Sequence, residues 1–122
     1  MKTEPRVLLA AYSEVGVVCL EELLAQKAQV VGVFSHADDQ FEEIWFRSVA
    51  RTAAEAGIPV FTPENINAAE EIERIRGLRP DILFSFYYRK LISKEILDIP
   101  PLGAYNMHGS LLPRYRGRAC VN

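Results

Sequence analysis

Asn106 and His108 stand two residues apart, in an apolar run that opens into an arginine-rich loop. If residues 104–108 form a strand, its two-residue period directs both side chains to one face. An amide can hold a developing oxyanion, and an imidazole can move a proton. The pair therefore predicts acyl-transfer chemistry at the end of a strand. Either residue alone would more often be structural.

The loop after this pair contains Gly, Pro and three Arg between residues 109 and 118. Arg116 and Arg118 are suited to bidentate contacts with phosphate or carboxylate, which predicts a local anion site. A solvated basic loop is the alternative. Serine hydrolysis through Ser110 has little support, because the chain has no Gly-x-Ser-x-Gly elbow.

Strand and helix patterns alternate along the whole sequence. Strands are predicted near residues 6–12, 29–35, 59–61, 81–86 and 104–108, with helices near 13–27, 42–56, 68–76 and 91–97. We expect Ser13 and Ser93 to cap the first and last helices, and Gly57 and Gly77 to end the second and third. The pattern predicts one α/β domain over residues 1–122, with a Rossmann-like parallel sheet in the order 3-2-1-4-5 and helices on both faces. Chemistry in such sheets lies at the carboxyl ends of the strands.

Other polar and aromatic positions allow more than one interpretation. The turn at residues 11–16 lacks Gly-x-Gly-x-x-Gly, and no Walker loop occurs, so NAD and P-loop chemistry have little support. Gly16 is expected to permit close helix–strand packing rather than to contact a ligand. His36 is interpreted as a surface histidine with a minor site role left open. The segment Phe86–Arg89 is either core packing or a wall for a flat heterocycle.

Composition sets the limits of these interpretations. A chain of 122 residues that is 49% hydrophobic is a single globular domain or part of one. Its net charge of −2 gives no case for a nucleic-acid partner. Two cysteines without metal spacing predict neither a metal site nor a disulfide framework. The sequence has no signal peptide pattern and no apolar run long enough for a membrane span, so the cytoplasm is the expected compartment.

The sequence strings AYSEVG at 11–16, FSFYYRKLI at 84–92 and NMHGSLLPRYRGRA at 106–119 resemble the folate-dependent formyltransferases. Within that family the likeness is strongest to the branch that formylates UDP-4-amino-4-deoxy-L-arabinose, in lipid A modification and polymyxin resistance. The resemblance implies 10-formyltetrahydrofolate as co-substrate and a nucleotide-linked amino sugar as acceptor. Formylation of methionyl-tRNA or glycinamide ribonucleotide is an alternative. A non-catalytic folate- or nucleotide-binding remnant is another.

The resemblance also implies residue roles. Asn106 would stabilise the oxyanion and His108 would donate or shuttle the proton. The folate site is expected to be lined by Phe86, Lys90, Leu91 and Ile92. Acceptor-binding side chains are expected at Tyr12, Ser13, Ser110, Arg116 and Arg118.

Two departures from the family pattern produce further expectations. Cys120 stands where family members usually have Pro. The family's catalytic Asp follows the His at a distance that residue 122 does not reach. We therefore expect the chain to be the front part of a formyltransferase domain, with little activity alone. Self-association or a fused second domain is possible for the whole protein.

Overall fold

The computed structural model describes residues 4–37 and 47–107. The strands are β1 (Arg6–Ala11), β2 (Gln29–Phe34), β3 (Val60–Phe61), β4 (Ile82–Phe86) and β5 (Ala104–Met107). The helices are α1 (Ser13–Ala25), α2 (Val49–Glu55), α3 (Ala69–Leu78) and α4 (Lys94–Leu97). All strand pairs are parallel, and the order is β3-β2-β1-β4-β5. The predicted sheet and its order are confirmed.

Each face of the sheet is covered by one pair of helices. Residues of β1 alternate between the faces, as the two-residue period of a strand requires. Leu8 and Ala10 pack in one apolar cluster with residues of α3 and α4, and Leu9 and Ala11 pack in a second cluster with residues of α1 and α2. Because β1 is buried on both faces from Val7 to Ala11, that part of its sequence is continuously apolar rather than alternating.

The start of α1 differs from the prediction by one residue. Tyr12, not Ser13, is the N-cap, with an extended backbone at φ −154° and ψ 165°. Its carbonyl oxygen accepts a hydrogen bond from the Gly16 N–H at 3.2 Å. Ser13 is the first helical residue and has a φ of 69°. The predicted capping role of Ser13 is therefore wrong, because strand-like geometry ends at Tyr12.

The other helix ends are partly as expected. α2 begins at Val49, later than predicted, where the Ser48 hydroxyl accepts a hydrogen bond from the Arg51 N–H at 3.1 Å. Residues 42–46 of the expected helix lie outside the described residues. Ser93 caps α4, and Gly57 adopts a φ of 79° after α2, as predicted.

The predicted end of α3 at Gly77 is wrong. The helix continues through Gly77 to Leu78, and Arg79 takes the left-handed conformation at φ 54°. The Arg6 guanidinium donates to the carbonyl oxygens of Leu78 and Arg79 at 2.7–3.1 Å, which satisfies the carbonyls at this helix end. A long-range side chain therefore ends the helix where glycine was expected to.

Gly16 sits where α1 crosses closest to the sheet. A Cβ at this position would lie 2.9 Å from Val49 Cγ2 and 3.1 Å from Ala11 Cβ. Both separations are well inside ordinary van der Waals contact. The structure therefore confirms the expectation that Gly16 permits close helix–strand packing.

Candidate functional site

The ends of β1 and β4 lie side by side at the carboxyl edge of the sheet. The connection from β1 leads to β2 on one side, and α3 leads into β4 on the other, so the strand order reverses between them. The two strands stay paired to their ends, where the Tyr12 N–H donates to the Phe86 carbonyl at 3.0 Å. Immediately afterwards Ser13 and Tyr87 both have positive φ, 69° and 63°. Such conformations cost about 1–3 kcal/mol each and are concentrated at functional sites.

A pocket of about 120 Å³ opens at this edge, on the sheet face that α3 and α4 cover. Asn106 reaches it from β5, where it pairs in register with Ser85 of β4. The lining residues are Leu83, Ser85, Tyr88, Lys90, Leu91, Ile92, Leu97, Ala104, Tyr105 and Asn106. The structure therefore brings Asn106 together with three of the predicted folate-site residues, Lys90, Leu91 and Ile92.

These three neighbours differ in environment. Leu91 is 88% exposed, so its side chain forms part of the rim rather than the core. Ile92 packs against the apolar cluster beneath the pocket. The Lys90 ammonium donates to the Glu64 carbonyl oxygen, which ties this side chain to the turn before α3. The pocket thus has an apolar floor and a cationic group at its rim.

Phe86 is not brought to this pocket. Along β4, Ser85 faces the pocket, so the next side chain faces the opposite side of the sheet. Phe86 is buried there, in the cluster that contains Leu9 and Val17. The structure therefore places Phe86 in the core beneath α1 and α2, away from Asn106.

Tyr12 and Ser13 lie beside the pocket rather than in its lining. The Tyr12 ring is buried and makes an edge-to-face contact with the His36 ring, with centroids 5.1 Å apart. The Arg89 guanidinium lies over the Tyr12 ring at 5.1 Å. The Ser13 hydroxyl oxygen is buried and has no hydrogen-bond partner among the described residues.

His36 makes more contacts near the pocket than its interpretation as a surface histidine indicated. Its Nε2 accepts a hydrogen bond from the Arg89 N–H at 2.9 Å, across 53 residues of sequence. Its ring stacks on Tyr88, with centroids 4.4 Å apart and planes 18° from parallel. Tyr88 in turn lines the pocket. The structure therefore places Phe86 in the core and Tyr88 in the lining of the pocket.

Asn67 is a second residue that the sequence interpretation missed. Its side-chain amide donates to the Leu91 carbonyl oxygen at 2.9 Å and accepts from the Ser93 N–H at 2.8 Å. These hydrogen bonds join residues 24 and 26 positions apart in the sequence, so no local sequence pattern predicts them. An asparagine in a turn was the only signal, and it indicated a turn residue alone.

Burial sets the protonation of the two stacked rings. Desolvation, followed by the positive charges of Arg89 and Lys90, lowers the pKa of His36 below its ordinary value. Desolvation, with a smaller contribution from Glu71, raises the pKa of Tyr88 to about 12. Both rings are therefore neutral near pH 7, which suits a stack at the wall of a pocket.

Several predicted site residues lie outside the described residues. They are His108, Ser110, Arg116 and Arg118. Within residues 4–37 and 47–107 no group of three or more His, Cys, Asp or Glu side chains is arranged to hold a metal ion. Over the same ranges, no helix has the length and apolar character needed to cross a membrane.

The fold and the pocket define a Rossmann-like α/β domain with a pocket at the carboxyl edge of its sheet. Residues 11–122 match the family described as formyl transferase. The chain therefore belongs to the formyl transferase family.

Two solved structures are similar to this chain. Glycinamide ribonucleotide transformylase 1 from Geobacillus kaustophilus is 21% identical, with a TM-score of 0.62, and the match covers 95% of this chain and 64% of the other. WlaRD, a sugar 3N-formyl transferase crystallised with dTDP and 5-N-formyl-THF, is 20% identical, with a TM-score of 0.55, and the match covers 88% of this chain and 36% of the other. At this identity the likeness bears on the fold alone. The chain spans less than two thirds of the length of either protein.

Proposed function

We propose that this chain provides the donor site and the oxyanion-stabilising residue of a formyltransferase. The enzyme would transfer a formyl group from 10-formyltetrahydrofolate to the amine of a nucleotide-linked amino sugar. Membership of the formyl transferase family supports the reaction class. The observation that carries the assignment of residues is the single pocket shared by Asn106 and the segment Lys90–Ile92.

The pocket suits one end of the donor. Pockets that hold a whole ligand usually measure about 300–1,000 Å³. The walls that the described residues form enclose about 120 Å³, so they would admit one ring system and leave the remainder along the rim. Leu83, Leu97 and Ile92 provide an apolar floor, and the neutral Tyr88 ring provides a flat wall.

The proposed chemistry is a direct transfer between two amines. The acceptor nitrogen attacks the formyl carbon, and the new C–N bond forms as negative charge grows on the formyl oxygen. The Asn106 side-chain N–H would donate to that oxygen, an interaction typically worth about 3 kcal/mol. The bond from the formyl carbon to the folate nitrogen then breaks. The acceptor amine loses one proton and the folate nitrogen gains one, and His108 is the residue proposed to move it.

The proposed acceptor is the amine of a nucleotide-linked amino sugar. The motif at residues 106–119 favours UDP-4-amino-4-deoxy-L-arabinose, with Tyr12, Ser13, Ser110, Arg116 and Arg118 as the residues that would contact it. Glycinamide ribonucleotide and methionyl-tRNA are the alternatives, and a cytoplasmic location belongs to the same proposal.

The test uses protein expressed from the complete reading frame that encodes this chain. Turnover of 10-formyltetrahydrofolate would be measured with each of the three acceptors, and product formation followed by the mass of an added formyl group. Asn106→Ala should lower kcat by about 10²–10³, the usual cost of one oxyanion donor.

Gln26→Ala is the matched control, because Gln26 is an exposed amide that hydrogen-bonds only locally, to Glu22 at 2.8 Å through its side chain. It should leave kcat unchanged. Absence of turnover with every acceptor, or equal effects of the two substitutions, would contradict the proposal.

A further inference from the structure

We propose that His36 is a positioning residue that holds the donor-binding loop in place, and that its protonation releases the loop and weakens donor binding. The donor-binding loop is defined as residues 87–93, between β4 and α4. The inference rests on the proposed function, because it assumes that this loop contacts the folate donor. It adds a residue from the segment that follows β2, and a dependence on pH.

The geometry at the start of the loop carries the inference. The Arg89 N–H donates to His36 Nε2 at 2.9 Å, so the proton of the neutral ring must lie on Nδ1. The same ring stacks on Tyr88 at 4.4 Å and meets Tyr12 edge-on at 5.1 Å. His36 therefore touches the loop through both a hydrogen bond and a ring face.

The loop needs such restraints because it leaves β4 in an unfavourable conformation. Tyr87 has a φ of 63°, which costs a residue with a large side chain about 1–3 kcal/mol. The later part of the loop is held by the Asn67 amide and by the contact between Lys90 and Glu64. His36 contacts the two residues that follow Tyr87, through the Tyr88 ring and the Arg89 N–H.

Protonation of the His36 ring would remove the hydrogen bond between Nε2 and the Arg89 N–H. In the imidazolium both ring nitrogens are donors, so Nε2–H would face the Arg89 N–H and the hydrogen bond would be lost. The cation would also stand near the positive charges of Arg89 and Lys90. The remaining titratable groups packed around the stack are Tyr12, Tyr88 and Glu71, the last of which acts on Tyr88. Asp38 and Asp39 follow in sequence but lie outside the described residues.

The sign of the pH effect follows from these contacts. Burial, then Arg89 and Lys90, lower the pKa of His36 below 6.5 in the folded protein. In the released loop the ring regains an ordinary pKa near 6.5 and binds a proton more readily. The restraint is therefore complete above about pH 6.5 and is lost as the pH falls through the folded-state pKa.

Two substitutions separate the hydrogen bond from the charge. His36→Gln keeps a side-chain acceptor at similar reach but cannot titrate. His36→Leu removes the acceptor and keeps apolar bulk. Binding of 5-formyltetrahydrofolate would be measured by calorimetry between about pH 5 and pH 8, the range in which histidine titrates. KM and kcat for 10-formyltetrahydrofolate would be measured with the same proteins.

His36→Leu should raise Kd and KM for the folate about three- to tenfold, as expected for one lost hydrogen bond, with kcat changed much less. His36→Gln should have most of the folate affinity that His36→Leu loses. Its affinity should not fall at acidic pH as that of the unsubstituted protein does. The inference is wrong if His36→Leu binds the folate as tightly as the unsubstituted protein does, or if the folate affinity of His36→Gln still falls at acidic pH.

A second readout distinguishes this inference from the proposed function. If the unsubstituted protein binds no folate, the proposed function fails. The Arg89 amide resonance can still be followed by NMR during titration of the His36 ring. It should shift with the same midpoint as the ring. An Arg89 amide that does not respond would overturn the positioning role, whatever the ligand.

Discussion

Replacing Gly16 by alanine should destabilise the protein, although alanine is the better helix former. In a helix interior, alanine is favoured over glycine by about 1 kcal/mol. At Gly16, however, the new Cβ would lie 2.9 Å from Val49 Cγ2 and 3.1 Å from Ala11 Cβ. Ala11 Cβ is fixed to the strand backbone and cannot rotate away. Overpacking of this kind costs about 1–3 kcal/mol, and the helix propensity of alanine offsets about 1 kcal/mol of it, so we expect a net loss of up to about 2 kcal/mol.

Gly77 is the matched control, because it is a helical glycine with free space where a Cβ would lie. A Cβ at Gly77 would meet no atom within 4 Å. Gly77→Ala should therefore stabilise the protein by about 0.5 kcal/mol, since the site is near the end of α3. Urea denaturation would measure both variants. The two should differ by about 0.5–2.5 kcal/mol, and a difference of about 2 kcal/mol corresponds to a Tm difference of roughly 8 °C.

The source of the Gly16 penalty can be tested by a double-mutant cycle. If Val49 Cγ2 is the main obstacle, Gly16→Ala should cost at least about 0.5 kcal/mol less in a Val49→Ala background. If the stability changes of Gly16→Ala and Val49→Ala are additive, the penalty comes from the contact with Ala11 instead. If Gly16→Ala is as stable as Gly77→Ala, the close approach of α1 to the sheet is not a steric requirement, and the reasoning is refuted.

Three further outcomes follow from the contacts described. Asn67→Ala removes two hydrogen bonds to the donor-binding loop and should lower the free energy of unfolding, measured by urea denaturation, by about 1–2 kcal/mol. It should also weaken the binding of 5-formyltetrahydrofolate measured by calorimetry, and an unchanged folate affinity would contradict the role of Asn67 at the pocket. Because Tyr88 ionises near pH 10 when unfolded and near 12 when folded, the unfolded state holds fewer protons in that window, so stability should fall as the pH rises from 10 to 12, and Tyr88→Phe should remove this component of the slope. Ser48→Ala should cost about 1 kcal/mol of stability through loss of the α2 cap, whereas Ser48→Asp should retain most of it.

The sheet could be predicted because its signal is repeated and local. Each strand is a short apolar run, and each of the first four is followed by a helical pattern. Right-handed crossovers then restrict the strand order to a few possibilities. The carboxyl-edge location of the site follows from the same rule. The position of Asn106 near this edge was predictable for the same reason, since it lies one residue before the end of β5.

The helix ends were harder because more than one residue can satisfy them. Ser13 has the composition of a cap, but the Tyr12 N–H pairs with Phe86 and keeps the chain extended for one more residue. Gly77 has the conformational freedom to end a helix, but the Arg6 guanidinium binds the last carbonyls of α3 from a distant strand. In both cases a long-range partner decides between local alternatives of similar energy.

The donor-binding loop shows most clearly why a site of this kind is a tertiary property. Its own sequence indicates aromatic and cationic residues but not their conformation. That conformation is fixed by a ring nitrogen at the end of β2 and by an amide in the turn before α3. Parallel strands bring these two segments to the same edge of the sheet, because all carboxyl ends lie together. Substitutions at His36 and Asn67 should therefore act on the pocket although neither residue lines it. Residues that shape donor binding are then to be sought along the whole carboxyl edge, and not within the motif at residues 106–119 alone.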